Sequence, residues 1–347
     1  MQKLNRIGIT PPFLVFLGAE TRSAMVKTGR GLLEWRRELC RGQLRLSQDA
    51  VDLGLPDLTA AEAVGQGVKS LVIGTAGIGG GIPAEWHETL LDAVQQGMDI
   101  VAGVHTKLSE LPFLCEAAEK SGARLVDIRT PPASLPVASG RKRSGRRLLT
   151  VGTDCAIGKK YTALVLEREM KKKGLNADFR ASGQTGIMIA GQGIPIDAVI
   201  SDFITGAAEL LSPDNEPNHW DIVEGQGGIF HPGYAAVSHG LLIGSQPDAF
   251  VVCHDPSRDF ISGWDDFRLP TIEQVIEQTV VIGSLTNPEI RCVGISLNTS
   301  RLSDSARQKA TEDIAGRVGL PCVDPLKESI DPIIEKLISE FPAAPCR

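Results

Sequence analysis

The sequence predicts an α/β protein with two parallel-sheet domains, the second carrying a phosphate-binding loop. Three observations predict it. Short apolar runs alternate with longer helix-like stretches, the pattern of strands joined by crossover helices. That alternation stops near residue 140, in a segment rich in Pro, Ser, Gly and basic residues, and then restarts. Directly after the restart, a Gly-rich turn ending in Lys joins a strand to a helix.

Composition agrees. The 347 residues are 42% hydrophobic and 22% charged, which excludes a disordered chain and a fibrous repeat. Gly is high at 37 residues and aromatics are only 5%, which suits many tight strand-to-helix turns. A net charge of −6 argues against a nucleic-acid binder. The seven Cys are scattered, with no C-x-x-C pair, so neither a disulfide framework nor a zinc site is expected, and a cytoplasmic protein is. No apolar stretch is long enough to span a membrane, and the run at Phe13–Leu17 is too short for a signal segment. A homo-oligomer is expected only because symmetric assemblies are common.

In chain order, strands are expected at Phe13–Leu17, Leu71–Ile73, Ile100–Val104 and Leu125–Ile128, with helices at Ala84–Gln96 and Leu111–Lys120. The turn Gly74–Pro83 does not match G-x-G-x-x-G, so it reads as a tight turn rather than a dinucleotide site. Residues 1–138 form the first domain and 139–147 a linker. Its basic residues, Arg141 to Arg147, are either a solvated linker or an electrostatic rim for an anion. Residues 148–347 form the second domain, with strands at Leu148–Val151, Asp221–Val223, Ala249–Cys253 and Cys292–Leu297.

The chemistry concentrates in Leu148–Leu164. A strand leads into G-T-D-C-A-I-G-K and then a helix over Lys159–Lys173. The gap between Gly152 and Gly158 is one residue longer than in G-x-x-x-x-G-K. The physics is the same: backbone N–H groups wrap an anion, and the helix aims its positive end at it. Gly152, Thr153, Cys155, Ala156, Ile157, Gly158 and Lys159 are therefore candidate binding residues, with Lys160 and Thr162 beside them. Lys160 stands where a Mg²⁺-holding Ser or Thr would be, and the nearest hydroxyl is Thr162. Metal ligands are not expected. Cys155 reads as a packed small residue rather than a nucleophile.

Downstream, Glu224 follows a short strand and opens the loop Glu224–Gly228, with Gln226, Gly227 and His231 close behind. Glu224 is either a site carboxylate or a cap; His231 is either a site residue or a turn residue. Asp154, Glu224 and His231 are the candidate proton acceptors. Arg180, at a strand end, either grips an anionic substrate or pairs with a surface acid. Gln184 and Thr185 follow it in a loop. Asp202 is a candidate N-cap, and Asn298 ends a late strand.

GTDCAIGKK and DIVEGQGG resemble dethiobiotin synthetase over the second domain, which implies a P-loop NTPase-like fold there. Over nearly the whole chain, V-G-T-D-C-A-x-G-K, the SGQTG loop and V-E-G-Q-G…H-P resemble the DgcN family, long a family of unknown function. That resemblance implies a Rossmann-like first domain and N-acetyl transfer from acetyl-CoA to an acidic D-amino acid, D-glutamate first. Here Lys160-Tyr161-Thr162 replaces the family's common Met-Thr-Thr, and only Thr162 keeps the Thr hydroxyl. The P-loop would hold the phosphates of CoA, and Arg180, Gln184, Thr185, Gln226 and Gly227 would meet the substrate. Two alternatives remain: an ATP-dependent ligase or kinase using Mg²⁺, and a nucleotide-sensing regulator without chemistry. They differ in whether CoA is released, ADP forms, or nucleotide binds without turnover.

Overall fold

The protein is described by a computed structural model covering residues 7–75 and 80–343. Part of the Gly74–Pro83 turn lies outside the described residues. The elements run β1 (Phe13–Gly18), α1 (Lys27–Arg36), β2 (Cys40–Arg45), α2 (Ala60–Gly65), β3 (Ser70–Ile73), α3 (His87–Gln95), β4 (Asp99–Ala102), α4 (Pro112–Ser121) and β5 (Leu125–Asp127). They continue with β6 (Arg146–Gly152), α5 (Lys159–Lys172), β7 (Ala177–Arg180), α6 (Gln184–Ala190), α7 (Ile204–Leu211), β8 (Trp220–Val223), α8 (Ala235–Ser245) and β9 (Ala249–His254). Last come β10 (Phe260–Ile261), β11 (Trp264–Arg268), α9 (Ile272–Gly283), β12 (Arg291–Leu297), α10 (Asp304–Val318), β13 (Cys322–Val323) and α11 (Asp331–Glu340).

The chain forms two units. One takes in the described residues from Ile7 to Pro131 together with Gln184–Pro195; the other takes in Pro132–Gly183 and the described residues from Ile196 to Ala343. The N-terminal unit holds a parallel sheet in the order β2-β1-β3-β4-β5. Leu14 through Leu17 of β1 are 0% exposed, as a strand covered on both faces must be. Strand β2 was not foreseen. Its sequence, CRGQLR, has little apolar signal, yet Gln43 is 0% exposed and its side chain bonds Asp52 and the Leu53 N–H. Helix α6 packs in this unit although its neighbours in sequence belong to the other.

The C-terminal unit holds a six-stranded sheet, β13-β12-β9-β6-β8-β7, with every pairing parallel. The antiparallel hairpin β10–β11 stands apart from it. Because β6 lies between β8 and β9, the loops leaving those three strands emerge side by side, where open α/β sheets bind ligands.

The basic segment is fastened to the C-terminal unit, although Arg141 and Lys142 stay exposed. Arg141 pairs with Asp214, Lys142 with Asp248, and the Arg146 guanidinium with the carbonyls of Phe341 and Pro342. Arg143 and Arg147 are only 6% and 0% exposed. Arg147 donates to Ser212 Oγ and to the carbonyls of Arg143, Ser144, Gly145 and Pro213. Buried carbonyls need donors, and a guanidinium supplies five in one plane. Asp202 does not cap a helix; it sits in the turn Ser201–Phe203, and no side-chain bond caps α7. Among the described residues, no helix is long and apolar enough to cross a membrane.

Candidate functional site

The loop between β6 and α5 is a backbone cradle. Ala156 and Gly158 take left-handed conformations, with φ of 53° and 109°. Alternation of right- and left-handed residues turns successive N–H groups toward one point. The N–H groups of Ala156, Ile157 and Gly158 donate to no other described residue. Ile157 is 1% exposed, Gly158 half-buried and Ala156 exposed, so the donors open toward solvent, where an anion can reach them. The N-terminus of α5 adds its partial positive charge. Thr153 is buried, its Oγ1 3.0 Å from His254 Nδ1.

Lys159 closes the loop. Its Nζ donates to the carbonyl of Asp154 (2.6 Å) and to that of Gly227 (2.7 Å). Burial pushes the ammonium pKa down. An ammonium has three N–H donors, so one remains for an anion in the cradle. Gly225 allows this closeness: a Cβ there would stand 1.7 Å from the Thr150 carbonyl and 3.1 Å from Lys159 Cδ.

Glu224 continues β8 and is 4% exposed. One carboxylate oxygen accepts from the N–H groups of Ser182 and Gly183, both at 3.0 Å. Burial pushes its pKa up to about 7; the Lys160 ammonium and the two N–H groups oppose the rise, and Asp197 adds to it. Gln226 Nε2 donates to Ser182 Oγ at 2.9 Å, so the Glu224–Gly228 loop is tied to the loop after β7.

Asp154 is fully buried. Its Oδ1 accepts from the Cys155 N–H, and its Oδ2 from Arg258 Nη1 (2.9 Å) and the Ser262 N–H (3.0 Å). His231 faces it, with Nε2 3.7 Å from Asp154 Oδ1 and no hydrogen-bond partner among the described residues. The ring packs on Tyr234 and Trp264, each centroid 4.7 Å away. Burial pushes the His231 pKa down. The Gly233 N–H donates to Nδ1 at 3.1 Å, which places the neutral ring's proton on Nε2.

Ligand atoms of Asp154, Cys155 and His231 lie within 4.8 Å of one another, a spacing that a metal ion could bridge. Two contacts work against it. Nε2, the imidazole atom aimed at the group, carries the proton. The Arg258 guanidinium is already paired with Asp154.

Three sequence expectations change. Arg180 is committed: its Nε and Nη2 meet Asp221 Oδ1 at 2.8 and 2.7 Å, so it is an internal ion pair and not a substrate grip. Burial pushes Asp221 up, but the bonds from His219 and Ser212 and the Arg180 charge hold it below the usual carboxylate range. Gln184 and Thr185 belong to the N-terminal unit, where Gln184 accepts from Arg129 and the buried Thr185 bonds Thr28. Thr162 does not face the cradle. Its hydroxyl bonds the Gly158 carbonyl and Ser296 Oγ (2.7 Å), inside the sheet. Asn298 turns back to the Ser300 N–H. Arg258 and Ser262 were missed; both lie more than 100 residues beyond Asp154 in the chain, and no local signal marks them.

A parallel-sheet Rossmann-like unit and a second parallel sheet bearing this cradle define a P-loop protein of two α/β units. Residues 43–131 match the Rossmann-like domain of unknown function DUF1611_N, and residues 136–334 match the P-loop domain of unknown function DUF1611_C. The chain belongs to the DUF1611 family. It is 45% identical to a D-glutamate N-acetyltransferase of a Pseudoalteromonas species and 41% identical to one of Tritonibacter scottomollicae. Each similarity spans 95% of this chain and 99% of the relative. The crystal structure of a DUF1611 family protein from Anabaena variabilis superposes with a TM-score of 0.84 at 32% identity, covering 95% of this chain and 99% of that one.

Proposed function

We propose that the protein is a D-glutamate N-acetyltransferase, moving an acetyl group from acetyl-CoA to the amine of D-glutamate. The observation that carries this is the similarity to two enzymes of that name over 95% of the chain. The site supplies compatible chemistry. When bound, the donor contributes a thioester whose acyl carbon is open to attack by an amine.

In this reading the cradle from Gly152 to Gly158 receives an anionic group of the donor. The idle N–H groups of Ala156, Ile157 and Gly158 and the third donor of Lys159 fit a phosphate. Cys155 sits in the loop as a small residue. Lys160, beside Glu224, offers charge to a carboxylate of the acceptor, and Gln226 and Gly227 border the same space. This takes over the role that Arg180 cannot fill.

A bound amino acid arrives as an ammonium, and an amine can attack only after losing a proton. Glu224 is the acceptor best suited to take it, because a carboxyl titrating near 7 is half ionised at working pH yet basic enough to accept. Asp154 is spent on Arg258 and Ser262. His231, with Nδ1 bonded to Gly233 and the proton on Nε2, is a donor toward developing negative charge rather than a base. Mixing purified protein with acetyl-CoA and D-glutamate should release CoA thiol and form N-acetyl-D-glutamate. Absence of both products sinks the assignment.

A further inference from the structure

We infer that Arg258 is the positioning residue that builds the anion cradle, by turning the loop's carbonyls outward and so its N–H groups inward. This rests on the loop being the donor's anion site.

The geometry is specific. Arg258 Nη1 donates to the Cys155 carbonyl at 3.1 Å and Nη2 to the Ala156 carbonyl at 3.2 Å. A trans peptide is planar, with C=O and the following N–H pointing opposite ways. A carbonyl held toward Arg258 therefore aims the next N–H away from it. The two N–H groups so aimed are those of Ala156 and Ile157, two of the three that have no partner among the described residues. Ala156 holds a left-handed φ of 53°, a conformation a non-glycine residue adopts only under external support.

Arg258 is itself held. Its Nε lies 3.1 Å from Asp255 Oδ2, and Asp255 is 1% exposed and anchored by the N–H and hydroxyl of Ser257. Asp255 directly follows β9, so the sheet fixes the guanidinium and the guanidinium fixes the loop. The same fork meets Asp154 at 2.9 Å. Without it, the buried Asp154 carboxylate would lose its guanidinium partner beside an anion site. Arg258 thus has an orienting role and a neutralising one, and a planar fork fills the first where an ammonium cannot.

The experiment is isothermal titration of the full chain with CoA, and separately with inorganic phosphate. Arg258→Met and Arg258→Lys should each weaken CoA binding by about 10- to 100-fold, the range for lost charge-assisted hydrogen bonds. Circular dichroism checks that both remain folded, and Arg258→Lys keeps the charge if Arg258→Met does not fold. Millimolar guanidinium should restore part of the affinity of Arg258→Met. The double variant Asp154→Asn/Arg258→Met should stay weak, because orientation is still lost. Wild-type affinity in a folded Arg258→Met, or full recovery in the double variant, overturns the orienting role. If wild-type protein binds neither CoA nor phosphate, the donor reading of the loop fails, and the inference with it; that result is distinct from a wild type that binds and variants that bind equally.

Discussion

The C-terminal unit buries two clusters of charged side chains made from the same residue types, and they are finished to different degrees. Around the starts of β6 and β8, Arg147, Ser212, Asp221, Arg180 and His219 form a closed network. Arg147 spends all of its nitrogens, and Asp221 receives Arg180, Ser212 and His219. At the far ends of the same strands the second cluster is left open. Among the described residues, His231 Nε2 has no hydrogen-bond partner and three loop N–H groups have none either, and Glu224 sits in a site that disfavours its charge. Burial alone therefore does not mark function, since both clusters are buried. The difference is satisfaction: the first network is complete within the protein, and the second has donors with no protein partner among the described residues.

The sharpest way to test the contrast is Glu224→Gln. The amide can still accept from Ser182 and Gly183 but cannot take a proton. Turnover should fall by about 10²- to 10⁴-fold, the usual worth of a general base. In the wild type, kcat should rise with pH through about 7, where Glu224 ionises, and the variant should lose that limb. Stability should move the other way. A carboxyl raised from 4.5 to about 7 favours the folded state fully only below pH 4.5 and loses that advantage as pH rises through 7. The cost at pH 8 is roughly 3 kcal/mol, so the variant should be more stable there by up to that amount and equal to wild type in acid. Urea denaturation at the two pH values reads this directly.

The closed network should respond in the opposite sense. Arg147→Met leaves four carbonyls and Ser212 without their donor, and should cost about 3–5 kcal/mol. Donor affinity in whatever fraction remains folded should not change. A mild loss of stability would mean that the network is less complete than its bonds suggest.

Lys159→Met comes next. Removing a buried ammonium takes away a desolvation cost along with two hydrogen bonds, so the melting temperature should barely move. CoA affinity should drop by about 100-fold, since a charge-assisted bond to a phosphate is worth about 1.5–3 kcal/mol. Loss of folding with no prior loss of binding would make Lys159 a structural strut.

Legibility in the sequence followed distance along the chain. The β6–loop–α5 unit is contiguous, so G-T-D-C-A-I-G-K sufficed to find it. Glu224 was visible because an acid directly after a short apolar strand is a local pattern. Arg180 was misread because its partner, Asp221, lies on the adjacent strand, and pairing register cannot be read from either strand alone. Arg258 was not visible at all. Its contacts with the loop span more than 100 residues, and the hairpin that follows it, DFISGWDDFR, has no clean alternation to announce a strand. Helix α6 sits in one unit while its flanks sit in the other, so Gln184 and Thr185 could not be placed by proximity to the P-loop.

Thr162 gives the smallest effect and tests the boundary of the site from inside. Sequence position placed it among the cradle residues because it is the first Ser or Thr hydroxyl after Lys159. Three residues along a helix lie on nearly the same face but about 4.5 Å further along the axis, so Thr162 sits almost a turn beyond Lys159, against the sheet. There it meets Ser296 Oγ at 2.7 Å and the Cys253 thiol at 3.4 Å. Thr162→Val keeps the shape and removes the hydroxyl. Ser296 then loses a partner, at a cost of about 1 kcal/mol in stability. CoA affinity and its response to Mg²⁺ should both stay at wild-type values. If affinity falls while stability holds, the hydroxyl serves the ligand, and the line between the satisfied interior and the open cradle must be redrawn one helical turn deeper.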